Sequence, residues 1–211
     1  MMHEMMKVSP SEIEAESFRI ITETLNEMNI ALDDEIAPIV KRVIHTTADF
    51  SFADTLTFSK DAVSIARQLI MNSATIVTDT NMTLAGINKK RLERFGVRVK
   101  CFMSDEDVIK EAKDRNITRA AVSVERASLI SGPVIYSVGN APTALIELDE
   151  LIKKGQFTPA FIIGVPVGFV NVEYSKELFR NTSIPSIINF GRKGGSNVAA
   201  AIVNAIVYGI E

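Results

Sequence analysis

Cysteine and histidine, the residue types used most often for disulfides and metal sites, are nearly absent from this 211-residue sequence. Its single cysteine, Cys101, excludes an internal disulfide and any metal centre built from several cysteines. The two histidines are His3, near the N-terminus, and His45, so a histidine-rich metal site is excluded as well. Any chemistry that needs an imidazole group therefore depends on His45.

The sequence also lacks a strong charge of either sign and a long apolar run. Its 23 basic and 26 acidic residues give a formal net charge of −3, which gives no electrostatic support for binding nucleic acid. The longest apolar stretch, residues 198–210, contains Asn204 and is too short to cross a bilayer. Because no signal peptide is visible either, we expect a cytoplasmic protein with no membrane or nucleic-acid partner.

Apolar residues make up 46% of the chain, which is enough for one sizeable core. No repeat or linker divides the sequence, so we predict one domain at residues 9–211 after a flexible tail at residues 1–8. Short apolar strands alternate with helices along most of this domain. The alternation predicts an α/β fold, with a doubly wound, mainly parallel sheet and helices on both faces.

Helical spacing of apolar residues predicts two helices before the first strand. The apolar stripe of the first helix consists of Ile13, Ile20, Ile21, Leu25 and Met28. The second helix is predicted to begin near residue 33 and to end around His45. Further along the chain, Thr118 is predicted to begin a helix, and Ser104 with Asp107 to cap the helix before it.

Three predicted strands are each followed by a glycine-containing loop. The strands are predicted at residues 134–138, 160–163 and 186–190, and the loops begin at Gly139, Gly164 and Gly191. In a parallel sheet such loops gather at the carboxyl edge, where ligands bind. Arg192 and Lys193 in the last loop suit a ligand with carboxylate or phosphate groups. No loop has a G-x-G-x-x-G or Walker A motif, and an ordinary turn remains the alternative for each one.

Several polar side chains are candidate site residues, each with a structural alternative. A helix C-terminus favours the protonated form of His45, which would make it a proton donor, although a lone histidine is more often a capping or packing residue. Ser17 lies on an apolar stripe, where its hydroxyl group either serves the site or bonds back to its own helix. Arg119 either binds a carboxylate or forms a surface salt bridge. Asp79 and Asn81 follow a strand end, where Asp79 either serves the site or caps the next helix.

Seven strings in this chain, taken together, resemble the precorrin-8X methylmutases of cobalamin biosynthesis. They keep the order and spacing of that family from Ile13 to the end of the chain. They are Glu16-Ser17-Phe18, Val43-Ile44-His45, Asp79-Thr80-Asn81-Met82, Thr118-Arg119, Gly139-Asn140-Ala141-Pro142-Thr143-Ala144-Leu145, Gly164-Val165-Pro166-Val167-Gly168-Phe169-Val170 and Gly191-Arg192-Lys193-Gly194-Gly195-Ser196. The sequence departs from the better-known aerobic enzymes directly after His45, where Thr-Thr-Ala-Asp replaces a shorter polar run.

The resemblance implies an isomerase that moves a methyl group from carbon 11 to carbon 12 of a corrinoid, a 1,5-sigmatropic shift yielding hydrogenobyrinic or cobyrinic acid. It implies a homodimer with the active site near the subunit interface, and the apolar C-terminal helix adds support for dimerisation. No cofactor or protein-bound metal is implied. His45 matches the catalytic acid/base residue. The substrate-binding residues are predicted to be Ser17, Asn81, Arg119, Gly139, Asn140 and Lys193.

Two other functions stay open at this point. A non-catalytic corrinoid carrier would share the anion-binding pocket but would not need His45. An α/β enzyme that uses nucleotides or phosphates would use the same glycine loops, although its fingerprint is absent. The sequence also leaves open whether the natural corrinoid contains cobalt.

Overall fold

Six strands form one sheet in the computed structural model, which describes Ser9 and residues 12–210. They are β1 (Leu56–Phe58), β2 (Thr75–Thr78), β3 (Val99–Lys100), β4 (Val134–Val138), β5 (Phe161–Gly164) and β6 (Ser186–Asn189). Their order across the sheet is β1-β6-β5-β4-β2-β3. β1 pairs antiparallel with β6, and every other pair is parallel. The predicted mainly parallel sheet is therefore confirmed.

The described residues form eleven helices around this sheet. They are α1 (Ile13–Glu27), α2 (Ala37–Thr47), α3 (Phe52–Thr55), α4 (Ala62–Met71), α5 (Asn81–Gly86), α6 (Lys89–Glu93), α7 (Glu106–Asp114), α8 (Arg119–Ser128), α9 (Pro142–Lys153), α10 (Val172–Glu177) and α11 (Ser196–Tyr208). Thr118 caps α8, as predicted, because its hydroxyl group accepts a bond from the backbone N–H of Ala121.

Helices cover the sheet on both faces. Every residue of β2, β4, β5 and β6 is buried, which explains why these strands do not alternate between apolar and polar residues. Neighbouring residues of β4 enter different cores. Ile135 packs in a core with residues of α2, α4 and α11, whereas Tyr136 packs in a core with residues of α8 and α9. The doubly wound arrangement is thus confirmed.

The three glycine loops begin at one edge of the sheet. Val138 lies opposite Gly164 in the parallel pairing of β4 with β5, and Gly164 lies opposite Ile188 in the pairing of β5 with β6. The carboxyl ends of these strands are therefore aligned. We call this edge, with the loops that follow β2, β4, β5 and β6, the carboxyl rim.

The apolar helix α11 is covered by its own chain. Val198, Ile202 and Ile206 are at most 2% exposed and lie in the core shared with α2 and α4. A Cβ atom added to Gly86 of α5 would lie 2.8 Å from the Cβ atom of Ala200, so α5 also packs directly on this helix. The C-terminal helix therefore adds no support for dimerisation, because its apolar surface has no face left for a partner.

Two sequence predictions of local structure are wrong. Ile13 and Ile20 of α1 are 55% and 40% exposed, so the buried residues of its predicted apolar stripe are Ile21 and Leu25. Ser104 does not cap α7: the N-cap residue is Asp105, whose side chain makes no capping bond. The hydroxyl group of Ser104 instead accepts a bond from Asn81, and this tertiary contact cannot be read from local spacing.

The tail predicted at residues 1–8 lies outside the described residues, and the domain boundaries stay a prediction. Within residues 12–210, no helix has both the length and the apolar character needed to cross a membrane.

Candidate active site

Asp79 fixes the loop that follows β4. It comes directly after β2, is fully buried, and accepts three backbone N–H bonds from the neighbouring strand's loop. Its Oδ1 atom accepts from Gly139 at 2.8 Å, and its Oδ2 atom accepts from Asn140 at 2.8 Å and Ala141 at 2.6 Å. Burial raises the pKa of Asp79, and the three N–H donors oppose that shift. Asp79 thus holds the loop that contains two predicted binding residues.

The role of Asp79 as a loop clamp has no signal in the local sequence. The next helix, α5, is capped by Thr80, whose hydroxyl group accepts a bond from the N–H of Thr83. The position of Asp79 directly after a strand indicates a site residue, but the N–H groups that it binds lie 60 or more positions away in the sequence. The contact depends on the adjacency of β2 and β4, which local spacing does not predict.

The loops after β4 and β6 approach each other closely. Gly139 lies so near the start of α11 that an added Cβ atom would be 2.8 Å from the Cα atom of Ser196. The hydroxyl groups of Thr80 and Ser196 are 2.8 Å apart and share a hydrogen bond. Only glycine fits at position 139, because any side chain would collide with the start of α11. A loss of activity after its substitution would therefore not by itself show that Gly139 contacts a ligand.

The loops after β5 and β6 are also packed together. A Cβ atom on Gly194 would overlap the carbonyl oxygen of Val165, and the φ angle of Gly194 is 155°. The N–H of Gly195 donates to the same carbonyl at 2.9 Å, and the N–H of Gly168 donates to the carbonyl of Arg192 at 3.1 Å. The loops after β2, β4, β5 and β6 thus form a continuous wall along the carboxyl rim.

His45 lies in the last turn of α2 and is exposed. Its ring stacks on Phe18 of α1, with the ring centroids 5.2 Å apart and the planes 16° from parallel. The guanidinium group of Arg42 lies over the Phe18 ring, 4.6 Å from its centroid, and forms an ion pair with Glu14 at 2.5 Å. These neighbours orient the imidazole ring while leaving it open to a ligand.

The chain after His45 joins the carboxyl rim. Helix α2 ends at Ala48, which adopts a left-handed conformation with φ of 54°. The ammonium group of Lys193 then contacts Asp49 at 2.6 Å and the hydroxyl group of Ser51 at 2.9 Å. Hydrogen bonds from Lys193 and Ser51 lower the pKa of Asp49. The structure therefore ties the loop after β6 to a residue four positions after His45.

Ser17 bonds back to its own helix, which is the structural alternative to a role in the site. Its hydroxyl group donates to the carbonyl oxygen of Ile13 at 2.8 Å, one turn earlier in α1. Ser17 is half-buried and directly precedes Phe18, the residue stacked on His45. A substrate role for this hydroxyl group stays a prediction.

Arg119 and Asn81 meet at one short segment beside the loop after β4. The side-chain amide of Asn81 donates to Ser104 at 2.7 Å, and Arg119 donates to the carbonyl of Met103 at 3.1 Å. The hydroxyl group of Thr118 bonds to Thr143 at the start of α9. Both candidates are exposed, and Arg119 forms no ion pair within the described ranges, so the surface salt bridge proposed as its alternative is not found there.

Large apolar side chains are exposed beside these polar groups. Phe169 and Val170, in the loop after β5, are 83% and 77% exposed, and Met82 of α5 is 69% exposed. The guanidinium group of Arg192 lies 5.7 Å from the centroid of the Phe169 ring. The carboxyl rim therefore offers cations, amides and an apolar surface together, which suits a large ring ligand that carries carboxylates.

Comparison with known proteins gives one consistent family. The family model described as precorrin-8X methylmutase matches residues 12–209. A cobalt-precorrin-8 methylmutase from Priestia megaterium is 44% identical over 95% of this chain and 88% of its own. One from Salmonella typhimurium is 43% identical over 94% and 95%.

A solved structure shows the same fold. The precorrin-8x methyl mutase from Thermus thermophilus superposes with a TM-score of 0.82 at 36% identity, over 93% of this chain and 96% of that one. The extent of these matches settles the family. The chain belongs to the precorrin-8X methylmutases.

Proposed function

We propose that this chain moves the methyl group at carbon 11 of cobalt-precorrin-8 or precorrin-8X to carbon 12, forming cobyrinic or hydrogenobyrinic acid. The observation that carries this proposal is the methylmutase match over residues 12–209. The geometry supports it, because the exposed imidazole of His45 and the cationic, partly apolar carboxyl rim suit a corrinoid with many carboxylates. The relatives named cobalt-precorrin-8 methylmutase favour the cobalt-containing substrate.

The proposed acid is His45. An imidazolium group that protonates a ring nitrogen beside the migrating centre draws electron density from that centre and eases the shift. The stack on Phe18, whose ring also lies against the cation of Arg42, restricts the orientation of the imidazole ring. A group held in this way loses little freedom when the substrate arrives, which favours a fast proton transfer.

The test of this function is a side-by-side incubation with cobalt-containing and metal-free precursor, followed by the absorbance change of the corrinoid. We expect conversion of the cobalt form at the higher kcat/KM. Tight binding of both corrinoids without conversion would instead support the carrier. A thermal shift with nucleotides and none with corrinoids would support a phosphate-using enzyme.

We also propose that the reaction takes place in the cytoplasm. The single cysteine of the chain is in keeping with a reducing compartment.

Arg119→Ala is expected to raise KM for the corrinoid about tenfold or more with kcat nearly unchanged, because it removes binding common to ground and transition states. Arg115→Ala is the matched control. Arg115 lies four residues earlier and pairs with Glu111 and Glu125, so its loss should leave both constants near wild type. Steady-state kinetics decide the matter: a collapse of kcat at unchanged KM would assign Arg119 to the chemistry.

We also propose a homodimer whose interface includes the loop after β5. The exposed side chains of Phe169 and Val170, two adjacent residues of this loop, support this proposal, because large apolar groups exposed side by side mark interaction sites.

Light scattering at micromolar concentration is expected to give twice the chain mass of 23.1 kDa. Phe169→Asp should shift the protein towards the monomer, since it places a charge in the proposed interface. Leu129→Asp, at a residue that is 76% exposed but lies in a cleft with Arg126 and Gln156, should remain dimeric. A monomeric wild-type protein would contradict the proposal.

A further inference from the structure

Lys176 is a fully buried lysine beneath the carboxyl rim. It lies in α10, its exposed fraction is 0%, and within the described ranges it forms no ion pair. Its ammonium group instead donates to two backbone carbonyls, that of Gly191 at 2.7 Å and that of Lys193 at 2.9 Å. Burying a charged group costs free energy unless it gains such partners. Because a buried lysine cannot serve as an ordinary surface charge, its two hydrogen bonds indicate a structural role.

The two carbonyls belong to a loop that has no helix or strand of its own. Residues 190–195 connect β6 to α11. The carbonyl of Lys193 also accepts a bond from the side-chain amide of Asn189 at 2.9 Å, and that of Arg192 accepts from the N–H of Gly168. Three consecutive carbonyls are therefore held, two of them by Lys176, while the side chains of Arg192 and Lys193 remain exposed.

Burial also affects the charge of this lysine. It lowers the pKa of Lys176 to about 8, and the nearby carboxylate of Glu173 acts in the opposite direction. The group keeps its proton at neutral pH, so a positive charge sits directly beneath a loop that already carries two cations. Complete burial prevents Lys176 from touching a ligand itself in this conformation.

We propose that Lys176 is a positioning residue, whose ammonium group pins the carbonyls of Gly191 and Lys193 and so fixes the loop that carries Lys193. The ammonium group of Lys193 has a third N–H, beyond its contacts with Asp49 and Ser51, that can bind a carboxylate of the corrinoid. The corrinoid part of this statement rests on the proposed function. The pinning itself does not, because it follows from the two hydrogen bonds and the burial of the lysine. Removing the donors should free the loop even though it leaves the fold of the sheet in place.

Limited trypsin digestion tests the pinning directly, because trypsin cleaves after Arg192 and Lys193. Lys176→Met matches the four-atom stem of lysine but lacks its terminal nitrogen and donates no bond, and its folded form should be cut in this loop about tenfold faster than wild type. Lys176→Gln, a shorter side chain with an amide donor, should be cut at a rate between the two. Lys153→Met, which removes an exposed lysine of α9, is the control and should show the wild-type rate.

Kinetics with cobalt-precorrin-8 then link the loop to the substrate. We expect Lys176→Met to raise KM about tenfold with kcat within about twofold of wild type, and Lys176→Gln to restore part of the loss. A wild-type cleavage rate in either variant would overturn the pinning, and Lys176→Gln decides alone if Lys176→Met does not fold. Faster cleavage at unchanged KM would overturn the link to the substrate. An inactive wild-type enzyme would instead refute the proposed function and leave the digestion result standing.

Discussion

His45→Ala is expected to convert the corrinoid at least about a hundredfold more slowly than wild type, because general acid catalysis contributes roughly 10²–10⁴-fold. The substitution removes an exposed side chain at the end of α2, so neither the core nor the sheet loses a contact. Its stacking partner Phe18 remains in place. The variant should therefore fold and bind the corrinoid with an affinity close to that of wild type.

Single-turnover kinetics at saturating enzyme measure the effect without a contribution from product release. His45→Asn is the informative companion variant, because asparagine keeps a hydrogen-bond donor but has no proton to transfer. It should be about as slow as His45→Ala by the same range for acid catalysis. Phe18→Leu is the control for orientation: it removes the stack but leaves the acid, so a smaller loss is expected.

Near-wild-type rates in both histidine variants would contradict the assignment and leave His45 as a packing residue. A slow His45→Ala variant beside an active His45→Asn variant would show that a hydrogen bond, and not a proton, is what the reaction needs.

The sequence predicted the parts of the fold that have strong local signals. Strands β4, β5 and β6 are buried on both faces, so each is a short, mainly apolar run that ends within two residues of a glycine, and their bounds were predicted to within one or two residues. Helix α2 has a regular apolar face, which placed His45 near its end. Strand β1 and helix α4 were missed. β1 has three residues and exists because it pairs with β6, whose residues lie 129 to 133 positions away.

The supports of the candidate site were harder to predict than its exposed residues. His45, Arg119 and Lys193 stand out in a sequence because their chemistry is unusual for their positions. Lys176 does not stand out, because a lysine in a short helix is expected on the surface. Its burial is decided by carbonyl groups 15 and 17 positions further along the chain, in a loop whose course depends on packing against the loop after β5.

Asp79 gives the second large effect. Asp79→Asn is expected to lower the free energy of unfolding by about 3 kcal/mol, because removing an acceptor from a buried donor costs roughly 1–3 kcal/mol and bonds to charged groups lie at the upper end. Three backbone N–H groups converge on the carboxylate, from Gly139, Asn140 and Ala141. An asparagine amide keeps the shape but offers one oxygen, and its NH₂ group would face an N–H donor.

Chemical denaturation followed by circular dichroism measures this loss, and Asp105→Asn is the matched control. Asp105 is an exposed N-cap residue whose side chain makes no capping bond, so its substitution should change the free energy of unfolding by less than about 0.5 kcal/mol. The folded Asp79→Asn variant should also bind the corrinoid more weakly, since the loop that carries Asn140 loses its support. The loss of a buried acceptor that serves three N–H donors should lower stability. An unchanged denaturation midpoint would therefore contradict the proposal that the carboxylate holds the loop.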